Sequence, residues 1–155
     1  MLMVIHAAAS AWVGEVAPNP ASAFFISFVL HFLMDFIPHG DHEIVNNYRN
    51  KKAIKRIYTF IIADLLMTIL FILSIELFDI GLQKKIMFWS IFGGLLPDIA
   101  VAIYKMTETP VLKKFHDLHF TIHNFLPEKK HKTIPFISGI ALQIILFFVL
   151  LKVIF

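Results

Sequence analysis

Carboxylates and imidazoles stand inside apolar segments of this chain, where a bilayer leaves them no water. The densest case is HFLMDFIPHGDH, residues 31–42, five ionisable side chains at the end of an apolar run. With residues 20–37 helical, His31 and Asp35 are i, i+4 and lie one above the other on one face. Pro38 ends that helix, and His39, Gly40 and Asp41 follow in a turn that can fold back towards it. Imidazole and carboxylate from a helix and its exit loop are metal-ligand chemistry. His42 and Glu43 read instead as a solvated helix end.

The 155 residues are 58% hydrophobic and 16% charged, with seventeen Phe, which excludes an ordinary water-soluble domain. Each crossing takes roughly 20 helical residues. The predicted fold is therefore all-α, one membrane-embedded domain over 1–155 with four to five membrane helices and one interfacial, His-rich helix. The chain holds no Cys, so disulfides and Cys-ligated zinc are excluded. His6 and the missing positive n-region argue that MLMVIHAAASAWVG is mature structure rather than a signal peptide.

Residues 2–14 make a short helix of about 20 Å that tilts or enters only partway. Asn19 and Pro20 are a helix-start signal, an N-cap side chain followed by Pro at the first helical position. A basic loop over 39–56 leads to a clear span, IYTFIIADLLMTILFILSIELF, with Asp64 inside it. The next, IMFWSIFGGLLPDIAVAIY, carries Gly93, Gly94 and Pro97; Pro97 lacks an amide hydrogen and frees the Gly93 carbonyl. VLKKFHDLHFTIHNF, residues 111–125, reads as the interfacial helix. The last span holds Gln143 as its one mid-segment polar side chain, and no ligand is expected there.

Eleven of the fourteen basic residues fall in the loops after the second and fourth helices, leaving Lys84, Lys85 and Lys152 opposite. The positive-inside rule makes the first side cytoplasmic. The charge of +3 is thus topological, and no nucleic-acid partner is expected. A first helix antiparallel to the second brings His6 to the end of the bundle that holds His31 and Asp35.

Five segments then deliver ligand-type residues to one depth: His6, His31 with Asp35, Asp64, Asp98, and the row His116, His119, His123. The row's i, i+3, i+7 spacing puts it on one face, turned into the bundle while Phe115, Phe120 and Phe125 meet lipid or protein. An unaided Asp in a span costs roughly 2.5–3.5 kcal/mol, and no Lys or Arg lies inside the first four helices to pair with it. Divalent cations would neutralise Asp35, Asp41, Asp64 and Asp98 together. Mixed imidazole and carboxylate ligands favour Zn, Mn or Fe, one or two ions.

Blander roles stand beside these. His6 alone fits a packing histidine, Asp98 can hydrogen-bond freed backbone, and Asp64 fits a group holding an imidazole as well as it fits a ligand. His116 is the weakest of its row, and His131 in KKHK reads as surface. HEIVN, residues 42–46, lacks the second His of a zincin, and there is no phosphate-binding loop, dinucleotide fingerprint or nucleophile elbow. Catalysis, if present, falls to a metal-activated water, with Asp98 and Asp64 as the catalytic carboxylates.

HAAAS, NPASAFFISFVLHFLMDFIPHGD, GGLLPDI and HDLHFTIH together resemble the small membrane-bound members of the metal-dependent hydrolase family that includes the LexA-regulated inner-membrane proteins. The resemblance covers most of the chain and is strongest in HFLMDFIPHGD and LLPDI. It implies metal-site roles for His6, His31, Asp35, His39, Asp41, Asp98, His119 and His123. Where that family often reads LPDxD, Ala100 stands here, and the HRGxTHS motif of its larger members is replaced by HFTIH.

The function expected is a metal-dependent hydrolase in a prokaryotic inner membrane, its site facing the cytoplasm. The substrate class is a phosphoester or ester of a lipid or similar amphiphile. The alternatives are a metal or proton carrier, and a scaffold with a closed structural metal site. A carrier needs polar groups through to the far side, and these ligand residues stop at one depth.

Overall fold

The computed structural model describes residues 1–40, 54–79, 83–130 and 134–154, with the backbone alone over 124–130. Asp41, and with it His42 and Glu43, lies outside the described residues. Those described form six helices and no strand: α1 (Met3–Val16), α2 (Pro20–Asp35), α3 (Ile54–Leu77), α4 (Lys84–Thr107), α5 (Pro110–Lys130) and α6 (Phe136–Ile154). The all-helical expectation holds. The count of membrane helices is coarser than expected: α3, α4 and α6 are long and apolar enough to cross a membrane. With 14 and 16 residues, α1 and α2 reach only about 21 and 24 Å, short of a hydrocarbon core of roughly 30 Å.

Helix α1 is the hub. It packs against α2, α3, α4 and α6, and Ala7, Ala8 and Ala11 have no exposed surface at all. A helix hydrophobic all round is a buried one, and its run of alanines lets four neighbours approach closely. Met34, Phe71, Ile75, Met87, Ile91 and Leu95 close over it. What reads in sequence as a segment too short to span is instead a central strut. Its length need only match its neighbours.

The start of α1 is half-buried against the bundle, and its first backbone amides have no partner within the helix. Other helices supply the acceptors. The Asp64 carboxylate of α3 accepts from Met3 N at 2.8 Å and Val4 N at 3.2 Å, and Gln143 Oε1 of α6 accepts from Leu2 N at 2.8 Å. A carboxylate at a helix N-terminus is also favoured by the helix dipole. The cap expected at α2 is present, with Asn19 Oδ1 accepting from Ser22 N at 2.9 Å.

The α2–α4 and α1–α4 contacts are made close by small residues. Gly93 lies against the Phe24 backbone of α2, and Gly94 against the Ser10 side chain of α1. Ser90 Oγ donates to the Ser10 carbonyl at 2.6 Å and accepts from Ser27 Oγ at 2.7 Å, polar glue of the kind membrane helices use. Pro97 does not break α4, which runs unbroken past it. By contrast α3 and α6 expose Leu65, Leu66, Leu70, Leu73, Ile144, Ile145 and Phe148, the apolar surface a bilayer would cover.

Candidate metal centre

At one end of the bundle α1, α2, α4 and α5 meet around Asp35. His6 from α1 and His31 from α2 stack ring on ring, centroids 3.9 Å apart. Asp98 comes from α4 one residue after Pro97, and His119 from α5. His6, His31, Asp35 and His119 are all buried. The convergence expected from the separate segments is present for these five residues.

The proton on His31 can be placed. Its Nδ1 lies 2.8 Å from the Gly94 carbonyl, which can only accept, so Nδ1 carries the hydrogen. In the neutral ring Nε2 then turns a lone pair towards Asp35 Oδ2 at 3.3 Å and Asp98 Oδ1 at 3.7 Å, and it has no hydrogen-bond partner. His119 Nε2 lies 3.7 Å from Asp98 Oδ1 and 3.8 Å from Asp35 Oδ2. Burial lowers the His119 imidazole from its ordinary 6.5 to about 4 against the pull of the Asp98 and Asp35 carboxylates, so this ring is neutral at pH 7. A lone pair on a neutral His31 ring facing carboxylate oxygens is repelled unless a cation lies between them.

Two imidazole nitrogens and two carboxylate oxygens thus form a cage with four nitrogen–oxygen edges of 3.3–3.8 Å. Ligands at about 2.0–2.2 Å from a tetrahedral zinc are separated by about 3.3–3.6 Å. The spacing and the donor set fit a divalent transition metal. Anchoring Nδ1–H on a backbone carbonyl, which leaves Nε2 to ligate, is the usual support of such a histidine. His6 adds Nε2 at 3.2 Å from Asp35 Oδ1, while its Nδ1 is buried without a partner. The sets His6–His31–Asp98 and His31–Asp35–His119 each bring their ligand atoms within 4.8 Å of one another. Asp35 is nearly closed to solvent with 1% of its side chain exposed, whereas Asp98 shows 23%, so the site's open edge is at Asp98.

The remaining expected residues are placed as follows. His39 and His123 adjoin the far side of Asp35, and with it form a third set. Asp64 stands apart from all three sets and holds the α1 amides, a positioning role. His116 leaves the row: its ring lies on Tyr104 at 4.5 Å and its Nδ1 faces Asp117 at 3.1 Å. Lys113, on the same helix, pairs with Asp117 at 2.6 Å. Gln143 was given no role from sequence, yet its Nε2 donates to the His39 carbonyl at 3.0 Å while its Oε1 holds Leu2. The signal was there to read, since one amide in a lipid-facing helix must have a partner.

Comparison with protein-family models, with curated proteins and with solved structures gives no match to this chain. Apolar helices of membrane-spanning length and buried His/Asp groups able to hold a metal ion are therefore what characterise it.

Proposed function

We propose that this chain is a membrane-embedded, metal-dependent hydrolase acting on a phosphoester or ester of a lipid-like molecule at the cytoplasmic face of a prokaryotic inner membrane. The observation that carries this reading is the meeting of His31 and His119 with the Asp35 and Asp98 carboxylates at 3.3–3.8 Å, partly open at Asp98. When bound, a divalent ion supplies Lewis acidity, which lowers the pKa of water and neutralises charge developing on an ester or phosphoester oxygen. The chain's own residues do the positioning. Gly94 holds the His31 ring, the buried Asp35 fixes the inner wall, and Asp98 faces the side where substrate enters. Helix α5 lies over the site and serves as its lid, with Lys114 exposed upon it to attract an anionic headgroup.

Purified protein reconstituted with Zn or Mn tests this on a panel of phospholipids, lipid phosphates and esters. Metal-dependent turnover is expected, reduced at least about a hundredfold by Asp98→Asn with the fold intact, because the side chain stays nearly isosteric while its charge is lost. Tight metal without turnover on any substrate would transfer support to the closed structural site, a reading that the burial of His6, His31 and Asp35 favours in its own right.

Orientation has a separate test. Single cysteines at Asn47 and Lys114 are expected to resist impermeant thiol reagents in intact cells and to react after lysis, since both sit among the eleven basic residues of one side. Labelling from outside would reverse the topology.

A further inference from the structure

Asp35 has two oxygens, and the cage uses one. Oδ2 faces His31 and His119; Oδ1 lies 3.2 Å from His6 Nε2 and also faces the loop that follows α2 and the far turns of α5. There His39 Nδ1 lies 2.6 Å from the Ile37 carbonyl and must donate to it, so His39 Nε2 carries the lone pair. That Nε2 is 3.3 Å from His123 Nε2, again the separation of two ligands on one metal, about 3.3–3.6 Å. The α-ammonium nitrogen of Met1 stands 2.9 Å from His39 Nε2, 3.0 Å from Asp35 Oδ1 and 3.5 Å from His123 Nε2. Asp35, His39 and His123 thus bring one ligand atom each to within 4.8 Å of one another.

His39 is itself braced. Its carbonyl accepts from Gln143 Nε2 and lies against Gly139, where a side chain on α6 would collide with it. A loop residue fixed from both sides, with its tautomer set by a backbone carbonyl, is prepared for ligation in the same manner as His31.

We propose that Asp35, His39 and His123 form a second divalent-cation position, joined through the Asp35 carboxylate to the position enclosed by His31, His119, Asp35 and Asp98. The inference rests on the metal site of the preceding section and adds its nuclearity. Two metals sharing a carboxylate suit phosphoester chemistry, because one can face the attacking oxygen and the other the leaving oxygen. The Met1 nitrogen contacts of 2.9–3.5 Å exceed metal bonds of about 2.0–2.2 Å, so an ion held there would draw His39 and His123 inwards.

Manganese is the probe. Intact protein equilibrated with excess Mn²⁺ and freed of unbound ion should hold two equivalents per chain, with an electron paramagnetic resonance signal from an exchange-coupled pair. His123→Ala and, separately, His39→Gln should each reduce the content to one equivalent with an uncoupled six-line signal, and the retained ion shows that the bundle is folded. A single uncoupled equivalent in the intact protein would overturn the second position and leave the first standing. Two equivalents persisting in both variants would overturn the ligand assignment, and so would loss of both ions from either variant. Intact protein that takes up no Mn²⁺ would overturn this inference together with the metal site itself.

Discussion

Replacing His31 and Asp35 together by Ala is expected to abolish metal binding. These residues supply two of the four cage atoms, and Asp35 also bounds the position beside His39. Four-ligand sites bind zinc with about 10–16 kcal/mol, so loss of two ligands removes on the order of 5 kcal/mol. At 1.4 kcal/mol per tenfold, affinity falls more than a thousandfold. Elemental analysis of protein purified without chelator reads the effect, with one or two equivalents in the parent and none in the variant. The near-isosteric pair His31→Gln with Asp35→Asn separates ligand loss from collapse, since it keeps the volume, keeps a donor for the Gly94 carbonyl, and still loses the metal. An intact protein that carries no metal, even after reconstitution with Zn or Mn, would refute the site.

The second large effect lies in the packing that sets the cage. A methyl group at Gly93 would strike the Phe24 backbone of α2, which cannot rotate out of the way. Overpacking costs typically 1–3 kcal/mol, and backbone against backbone belongs at the top of that range. Removing a helical glycine returns at most about 1 kcal/mol. Gly93→Ala should therefore destabilise the protein by about 2–3 kcal/mol. Gly94→Ala meets the Ser10 side chain instead, whose hydroxyl can turn aside, and should cost clearly less. Denaturant unfolding in detergent measures both. A second readout ties packing to function, because separating α2 from α4 pulls His31 away from Asp98, so Gly93→Ala should weaken metal binding as well. Equal stability of the two variants would mean that the α2–α4 contact is looser than the structure has it.

Within one helix, the sequence by itself determined a great deal, because periodicity needs no knowledge of neighbours. His31 and Asp35 share a face through i, i+4 spacing, Asn19 caps α2, and the apolar runs of α3, α4 and α6 have membrane-spanning length. A first helix antiparallel to the second brought His6 to the end of the bundle that holds His31, and the two rings stack there.

What only the tertiary structure decided are relations between helices, which depend on rotation and depth rather than on spacing. Asp64 has the composition of a ligand and the position of a cap, and the difference is whether its face of α3 meets the imidazoles or the start of α1. His116 shares a helical face with His119 and His123 by spacing, yet Tyr104 lies close enough to take its ring. Gln143 is a lone amide in α6 until the depth of α1 sets Leu2 N and the His39 carbonyl on either side of it. The burial of most of α1 was likewise invisible, because alanines are equally at home in a tilted surface helix and in a crowded centre. Membrane helices are all apolar outside, so hydrophobicity ranks none of their faces against another. Close contacts of Gly, Ala and Ser make that choice, and they exist only once the helices are packed.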